Sequence, residues 1–233
     1  MDTSILLWLH NMIPTSGFLT GFFEVVSKFG SAGVILLIGI IATFIYLFSG
    51  KFNKAHMILL SAIFIAILQV VIKNIIGRPR PDLFPPLIAA DGFSMPSGHA
   101  MVSMAIYGLF AYFFCETRPE KKKLIYTLCG IFVFLVGFSR LYLGVHWPTD
   151  VIAGWGIGAL VLYIMIWWYH HGGISRTLRI IIGLLTLVIG AIGIIIPIIP
   201  GIPLIIAAVL LIFSSKSIKE MLSGRKKDNL PAA

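Results

Sequence analysis

Long apolar runs separated by short polar islands dominate the chain, and their lengths predict helices that cross a bilayer. A spanning helix needs about 20 mostly apolar residues. Residues 30–48, 56–76, 97–114, 124–138 and 148–169 reach or approach that length, so five spans are expected. Residues 1–29 differ. Their apolar positions are interrupted by His10, Asn11, Pro14, Thr15, Ser16 and Glu24, and neither half is long enough to span. That pattern predicts helices lying in the interface, with Trp8, Phe18, Phe22 and Phe23 dipping into lipid. A strained single span is the alternative.

A second module is expected from residue 174. Ile180 to Ile196 is apolar, Pro197, Pro200 and Pro203 force a turn, and Leu204 to Phe213 is apolar again. Residues 174–217 therefore read as a C-terminal membrane hairpin, and 218–233 as a basic tail. The core is 1–173. No fixed-period repeat and no low-complexity tract is evident.

Composition supports this reading. The chain is 58% hydrophobic and 12% charged, against about 25% charged in average soluble domains. The expected fold class is an all-α integral membrane protein. Five spans form a helical core, with an interfacial N-terminal region and a C-terminal hairpin. Cys115 and Cys129 both sit in apolar segments and read as free thiols. The N-terminus has no basic run of the kind that opens a signal peptide, so the whole chain is read as mature.

The net charge of +9 matters less than its placement. Lysine and arginine concentrate in cytoplasmic loops. With the turn at residue 50 inside, 13 of the 18 basic residues fall inside. The outer five are Lys28, Lys73, Arg78, Arg80 and Arg140. The N-terminus is then outside, in the cytoplasmic membrane, and the C-terminus is in the cytoplasm. The partners this implies are a lipid bilayer and a membrane lipid, not nucleic acid. Oligomeric state is left open, although Gly154, Gly156 and Gly158 would allow close helix contact.

Four of the five outer cations lie in polar islands, and ionisable groups at such depth point to function. Lys73 to Pro81 ends the second span, Pro96 to His99 opens the third, and Ser139 to Asp150 joins the fourth to the fifth. All three fall on the outer face. Lys73, Arg80 and Arg140 would gather three cations suited to phosphate oxygens. One such residue alone would read as snorkelling to headgroups. Arg78 either binds substrate or marks the interface. Pro96, Ser97, Gly98 and His99 open a helix, where free N–H groups attract phosphate and a glycine permits close approach. His146 and Asp150 are four apart. A carboxylate on one ring nitrogen would leave the other free as a nucleophile, and His99 would serve as proton donor.

Lys73 with Arg80 and Pro81, then Pro96-Ser97-Gly98-His99, then Arg140 with His146 and Asp150, resemble the three-part signature of the type 2 phosphatidic acid phosphatase superfamily. The resemblance covers about residues 1–170. It implies a phosphatase needing no metal or cofactor and acting through a phosphohistidine. His146 would attack, Asp150 orient it and His99 protonate the leaving group. Lys73, Arg80, Ser97, Gly98 and Arg140 would hold the phosphoryl oxygens. The membrane spans argue against the soluble haloperoxidase branch. The short layout resembles the undecaprenyl pyrophosphate phosphatases, and the substrates it suggests first are undecaprenyl pyrophosphate or phosphatidylglycerophosphate. A non-catalytic transporter or scaffold and a lipid phosphotransferase are the other readings. The turn over 197–203 loosely resembles small bacterial membrane proteins with a Pro-Gly-Pro turn.

Overall fold

A computed structural model describes residues 1–13 and 15–171, together with Leu184, Ile205 and Val209. Apart from those three positions, the expected hairpin over 174–217 and the tail over 218–233 lie outside the described residues. The described residues form helices and connecting loops, with no strand among them. A helix satisfies its own backbone polar groups, which hydrocarbon cannot do for it.

The helices are α1 (Asp2–Met12), α2 (Gly17–Lys28), α3 (Ala32–Phe48), α4 (Phe52–Ile76), α5 (Gly98–Val102), α6 (Gly108–Thr117), α7 (Lys122–Tyr142) and α8 (Pro148–His170). A π turn, Ser103–Tyr107, joins α5 to α6 in one 20-residue helix, Gly98–Thr117. Among the described residues, four helices are long and apolar enough to span: Asn53–Ile76, Gly98–Thr117, Pro119–Tyr142 and Pro148–His170. A fifth arises if α2 and Ala32–Tyr46 form one span bent by 48°. The chain is thus a multi-pass membrane protein. The first expected span, 30–48, qualifies only with α2 in front of it.

Apolarity alone ended the fourth span at residue 138, but α7 runs on to Tyr142. Ser139 and Arg140 stay helical because their polar groups find partners. Ser139 Oγ donates to the Val136 carbonyl at 2.7 Å, and Arg140 donates to the Ser27 hydroxyl. Cys115 and Cys129 are free thiols.

The chain divides into two compact units. One comprises Met1–Ile41 and Met57–Trp167 and holds every feature of the site. The other comprises Ala42–His56 and Trp168–Ala233. In it the basic turn between α3 and α4 places Lys54 Nζ 5.9 Å from the centre of the Tyr46 ring.

Within the first unit α1, α2, α5 and α6 pack on α7. Phe23 corrects the sequence expectation. It is 7% exposed and packs on Tyr142 with the rings tilted by 36° and their centres 4.5 Å apart, whereas Phe18 remains 82% exposed. The apolar periodicity of α2 marked a lipid-facing stripe, but part of that stripe faces α7. Thr20 Oγ1 lies 3.2 Å from the Tyr142 hydroxyl on the same contact.

Two glycines bring α8 against the helix that carries His99. A Cβ at Gly154 would lie 2.6 Å from the Ser97 carbonyl oxygen, and one at Gly158 would lie 2.4 Å from that of Met101. Backbone cannot yield as a side-chain tip can. At Gly156 nothing lies within 4 Å. Overpacking at such contacts costs about 1–3 kcal/mol. Gly158→Ala is therefore expected to lower the thermal midpoint in detergent clearly, and Gly156→Ala to change it little. Equal midpoints for the two variants would contradict this packing.

Candidate active site

The site is assembled from helix ends and one long loop. Residues 77–97 form no regular element. The loop is tied down at several points. The Ser94 hydroxyl donates to the Pro79 carbonyl at 3.0 Å, Trp147 Nε1 donates to the same carbonyl at 3.0 Å, and the Leu87 amide donates to the Leu143 carbonyl at 3.1 Å. Gly144 has a φ of +73°, and a Cβ there would lie 2.8 Å from Phe84. A side chain at 144 would thus meet both backbone strain and the loop.

Beneath the loop lies a cavity of about 300 Å³. Of the residues expected from sequence, Lys73, Arg80, Gly98, His99, Arg140 and His146 line it. Three cations therefore converge with two histidines. Lys73 donates to the Phe93 carbonyl at 2.9 Å. Arg80 donates to the carbonyls of Gly92 at 3.0 Å, Asp91 at 2.8 Å and Val145 at 2.8 Å. Arg140 is 4% exposed, and its Nε is buried with no partner. Arg140, His146, Lys73 and Arg80 all lie within electrostatic reach of His99.

Ser97 stands just behind this lining. It caps the helix, and its amide donates to the Asp150 carbonyl at 2.9 Å. Its hydroxyl is fully buried and unpartnered. Sequence placed Pro96 at the first helical position, but it precedes the cap.

His146 is held at both nitrogens. Nδ1 lies 3.4 Å from Asp150 Oδ2, and Nε2 lies 3.4 Å from Arg80 Nη1. A carboxylate only accepts and a guanidinium only donates, so the proton belongs on Nδ1 and the lone pair on Nε2. Asp150 is fully buried and receives three donors. They are His146, the Trp147 amide at 2.9 Å and Arg78 Nη1 at 2.8 Å.

Burial pushes the His146 pKa down from 6.5 to about 4, with Arg140 and Arg80 acting the same way and Asp150 opposing them. The neutral ring is present above about pH 4 and is lost as pH falls through it. The unfolded chain takes up the proton near 6.5, so this group removes stability as pH falls from 6.5 towards 4. Histidine-labelled NMR is expected to show this ring titrating near 4. A titration near 6.5 would contradict the burial.

Arg78 is not among the residues that line this cavity. It binds Asp150, Asp2 at 2.6 Å and Thr149 at 2.6 Å, with its guanidinium 5.3 Å from the centre of the Trp147 ring. Sequence reasoning also passed over Gln69, which lines the cavity with its side chain over Gly98, and Ser27, which accepts from Arg140. Neither belongs to a motif. Ser27 and Arg140 are 113 positions apart, and nothing local signals their contact.

Helix ends, clustered cations and two histidines meet at one cavity of a helical membrane protein. The PAP2 superfamily pattern matches residues 54–173, and the chain belongs to that family. It is 42% identical over 102 residues to phosphatidylglycerophosphatase B of Bacillus subtilis, across 42% of this chain and 50% of that protein. The chain thus spans about half the length of that relative. It is 32% identical over 173 residues to an undecaprenyl-diphosphatase of Sulfolobus acidocaldarius, across 72% of this chain and 77% of that one. The crystal structure of a transmembrane PAP2 type phosphatidylglycerolphosphate phosphatase from Bacillus subtilis superposes with a TM-score of 0.67 at 29% identity, covering 73% of this chain and 85% of that one.

Proposed function

We propose that this protein is a metal-independent lipid phosphatase, acting on a phosphomonoester or pyrophosphate of a membrane lipid through a phosphohistidine. The observation that carries the reading is His146, whose two neighbours leave the Nε2 lone pair at a cavity lined by three cations and a second histidine.

In the first step the Nε2 lone pair attacks phosphorus and an N–P bond forms. The bond from phosphorus to the lipid oxygen breaks, and that oxygen takes a proton from protonated His99. Lys73, Arg80 and Arg140 hold the non-bridging oxygens while charge redistributes, and Ser97 and Gly98 complete the cradle. In the second step water attacks phosphorus, His99 takes its proton, and the N–P bond breaks. Inorganic phosphate leaves and His146 is neutral again. Arg80 must exchange its loop carbonyls, and its contact with His146 Nε2, for phosphate oxygens on binding, because its donors are engaged with them.

The distribution of lysine and arginine supports a site on the extracytoplasmic face and a C-terminus in the cytoplasm. Undecaprenyl pyrophosphate and phosphatidylglycerophosphate are the leading substrates, in keeping with the relatives' names. The test is phosphate release by purified protein from a panel of undecaprenyl pyrophosphate, phosphatidylglycerophosphate, phosphatidate and a lipid A phosphate, in excess EDTA. Turnover of at least one lipid is expected. Tight binding without release from any of them would instead indicate a transporter or scaffold.

A further inference from the structure

Asp2 lies at the start of the N-terminal helix, far in sequence from every catalytic motif, yet it reaches the back of the His146–Asp150 pair. Its Oδ2 accepts from Arg78 Nη2 at 2.6 Å, and its Oδ1 accepts from the Thr149 amide at 3.1 Å. The Thr149 hydroxyl closes a ring, accepting from Arg78 Nη1 at 2.6 Å while donating to Asp2. The same Arg78 Nη1 reaches Asp150 Oδ1 at 2.8 Å. One guanidinium thus joins a carboxylate of the N-terminal helix to the carboxylate that holds His146. The Asp2 side chain is 15% exposed, Arg78 26% and Asp150 0%.

We propose that Asp2 is a positioning residue for His146, acting through Arg78 and Asp150 and through the first turn of α8. The argument is geometric. A guanidinium is planar and rigid, so fixing one edge on Asp2 fixes the direction in which the other edge meets Asp150. Without Asp2 the long Arg78 side chain has rotamers to explore, and Asp150 loses a donor of fixed position. Asp150 would then hold the His146 ring less well, and the Nε2 lone pair would wander from the line of attack. Asp2 also takes the Thr149 amide, one of the first-turn donors that the α8 backbone leaves free. Burial raises the Asp2 pKa, but the bonds from Arg78 and Thr149 outweigh it and hold the carboxyl below its usual range. The carboxylate is therefore charged when it grips Arg78.

A merely structural role for Asp2 would be to anchor α1. That anchor exists without it. Leu6 is fully buried, and the His10 ring stacks on Phe84 at 3.9 Å between centres. Asp2→Asn therefore leaves α1 docked; with its oxygen kept on the Thr149 amide it turns its NH2 towards Arg78 Nη2, so that both the charge and the acceptor that hold Arg78 are lost.

The inference rests on the assignment of His146 as nucleophile, and the experiment separates the two. Wild type, Asp2→Asn, Asp2→Glu and His10→Ala are assayed with the preferred lipid, alongside histidine-labelled NMR of each. Asp2→Asn is expected to lower kcat about 10- to 100-fold, as a misplaced reacting group does, with KM within about twofold. Asp2→Glu should recover part of the loss, and His10→Ala should change the midpoint of unfolding but not kcat. The ring signal assigned to His146, as the one missing from His146→Asn, should shift in Asp2→Asn. Wild-type kcat with an unmoved His146 signal in Asp2→Asn would overturn the inference. A wild type that hydrolyses no lipid would overturn the proposed function, and the His146 signal alone would then decide the role of Asp2.

Discussion

His146→Ala is expected to lower phosphate release by about 10⁴-fold or more, because removing a nucleophile removes the covalent route itself. The proposed route assigns the attack to no other group of the cavity lining, whose one carboxylate, Asp91, lies within electrostatic reach of Arg80. Lys73 and Arg80 are engaged with carbonyls, and Arg140 is a guanidinium with no lone pair to offer. His99 is the one other imidazole, and in the proposed reaction its task is proton transfer. The measurements are inorganic phosphate release and trapping of a radiolabelled phosphoenzyme that survives base and decays in acid. Both should vanish while the variant still elutes as a folded particle in detergent. Undiminished turnover would sink the phosphohistidine route.

Asp150→Asn is expected to cost about 10³- to 10⁴-fold, in the range seen when the carboxylate partner of a catalytic histidine becomes an amide. The structure supplies the reason. All three groups that meet the Asp150 carboxylate are donors: His146 Nδ1, the Trp147 amide and Arg78. An asparagine has one acceptor and one donor end, so either orientation sets its NH2 against another donor. Turned one way, it opposes Arg78. Turned the other way, it opposes Trp147 and favours the His146 tautomer with its proton on Nε2, which has no lone pair to attack with. A kcat loss with little change in KM is the expected pattern. Loss of KM alone would mean that Asp150 serves binding rather than the orientation of His146.

Much of the site was legible in the sequence. Lys73, Arg80, Gly98, His99, Arg140 and His146 all reach one cavity, and polar residues interrupting long apolar runs were enough to single them out. A lone cation near a helix end can snorkel, but cations and histidines at matching depths on three connections share a purpose. Arg78 was beyond such reasoning. Its neighbour two positions on, Arg80, faces the cavity, and nothing in the local pattern distinguishes the two. What separates them is that Arg78 meets buried Asp150 and Asp2, while Arg80 meets the carbonyls of residues 91 and 92. The N-terminal region was misread in part for a related reason. Its interrupted apolar pattern fits an interface, yet Phe23 and Ser27 turn inward to Tyr142 and Arg140.

By itself the sequence determined the helical membrane class, the approximate helix limits and most of the polar residues that meet at the cavity. Those follow from hydrocarbon thickness, from the cost of charge in lipid and from short spacings along one segment. Only the tertiary structure decided that Arg80 meets the Nε2 of His146 and that Arg78 joins Asp150 to Asp2. These depend on contacts between segments 66, 72 and 76 positions apart. Pairings of that kind are set by how helices pack, which at Gly154 and Gly158 is settled by a missing side chain, and no local pattern along the chain encodes them.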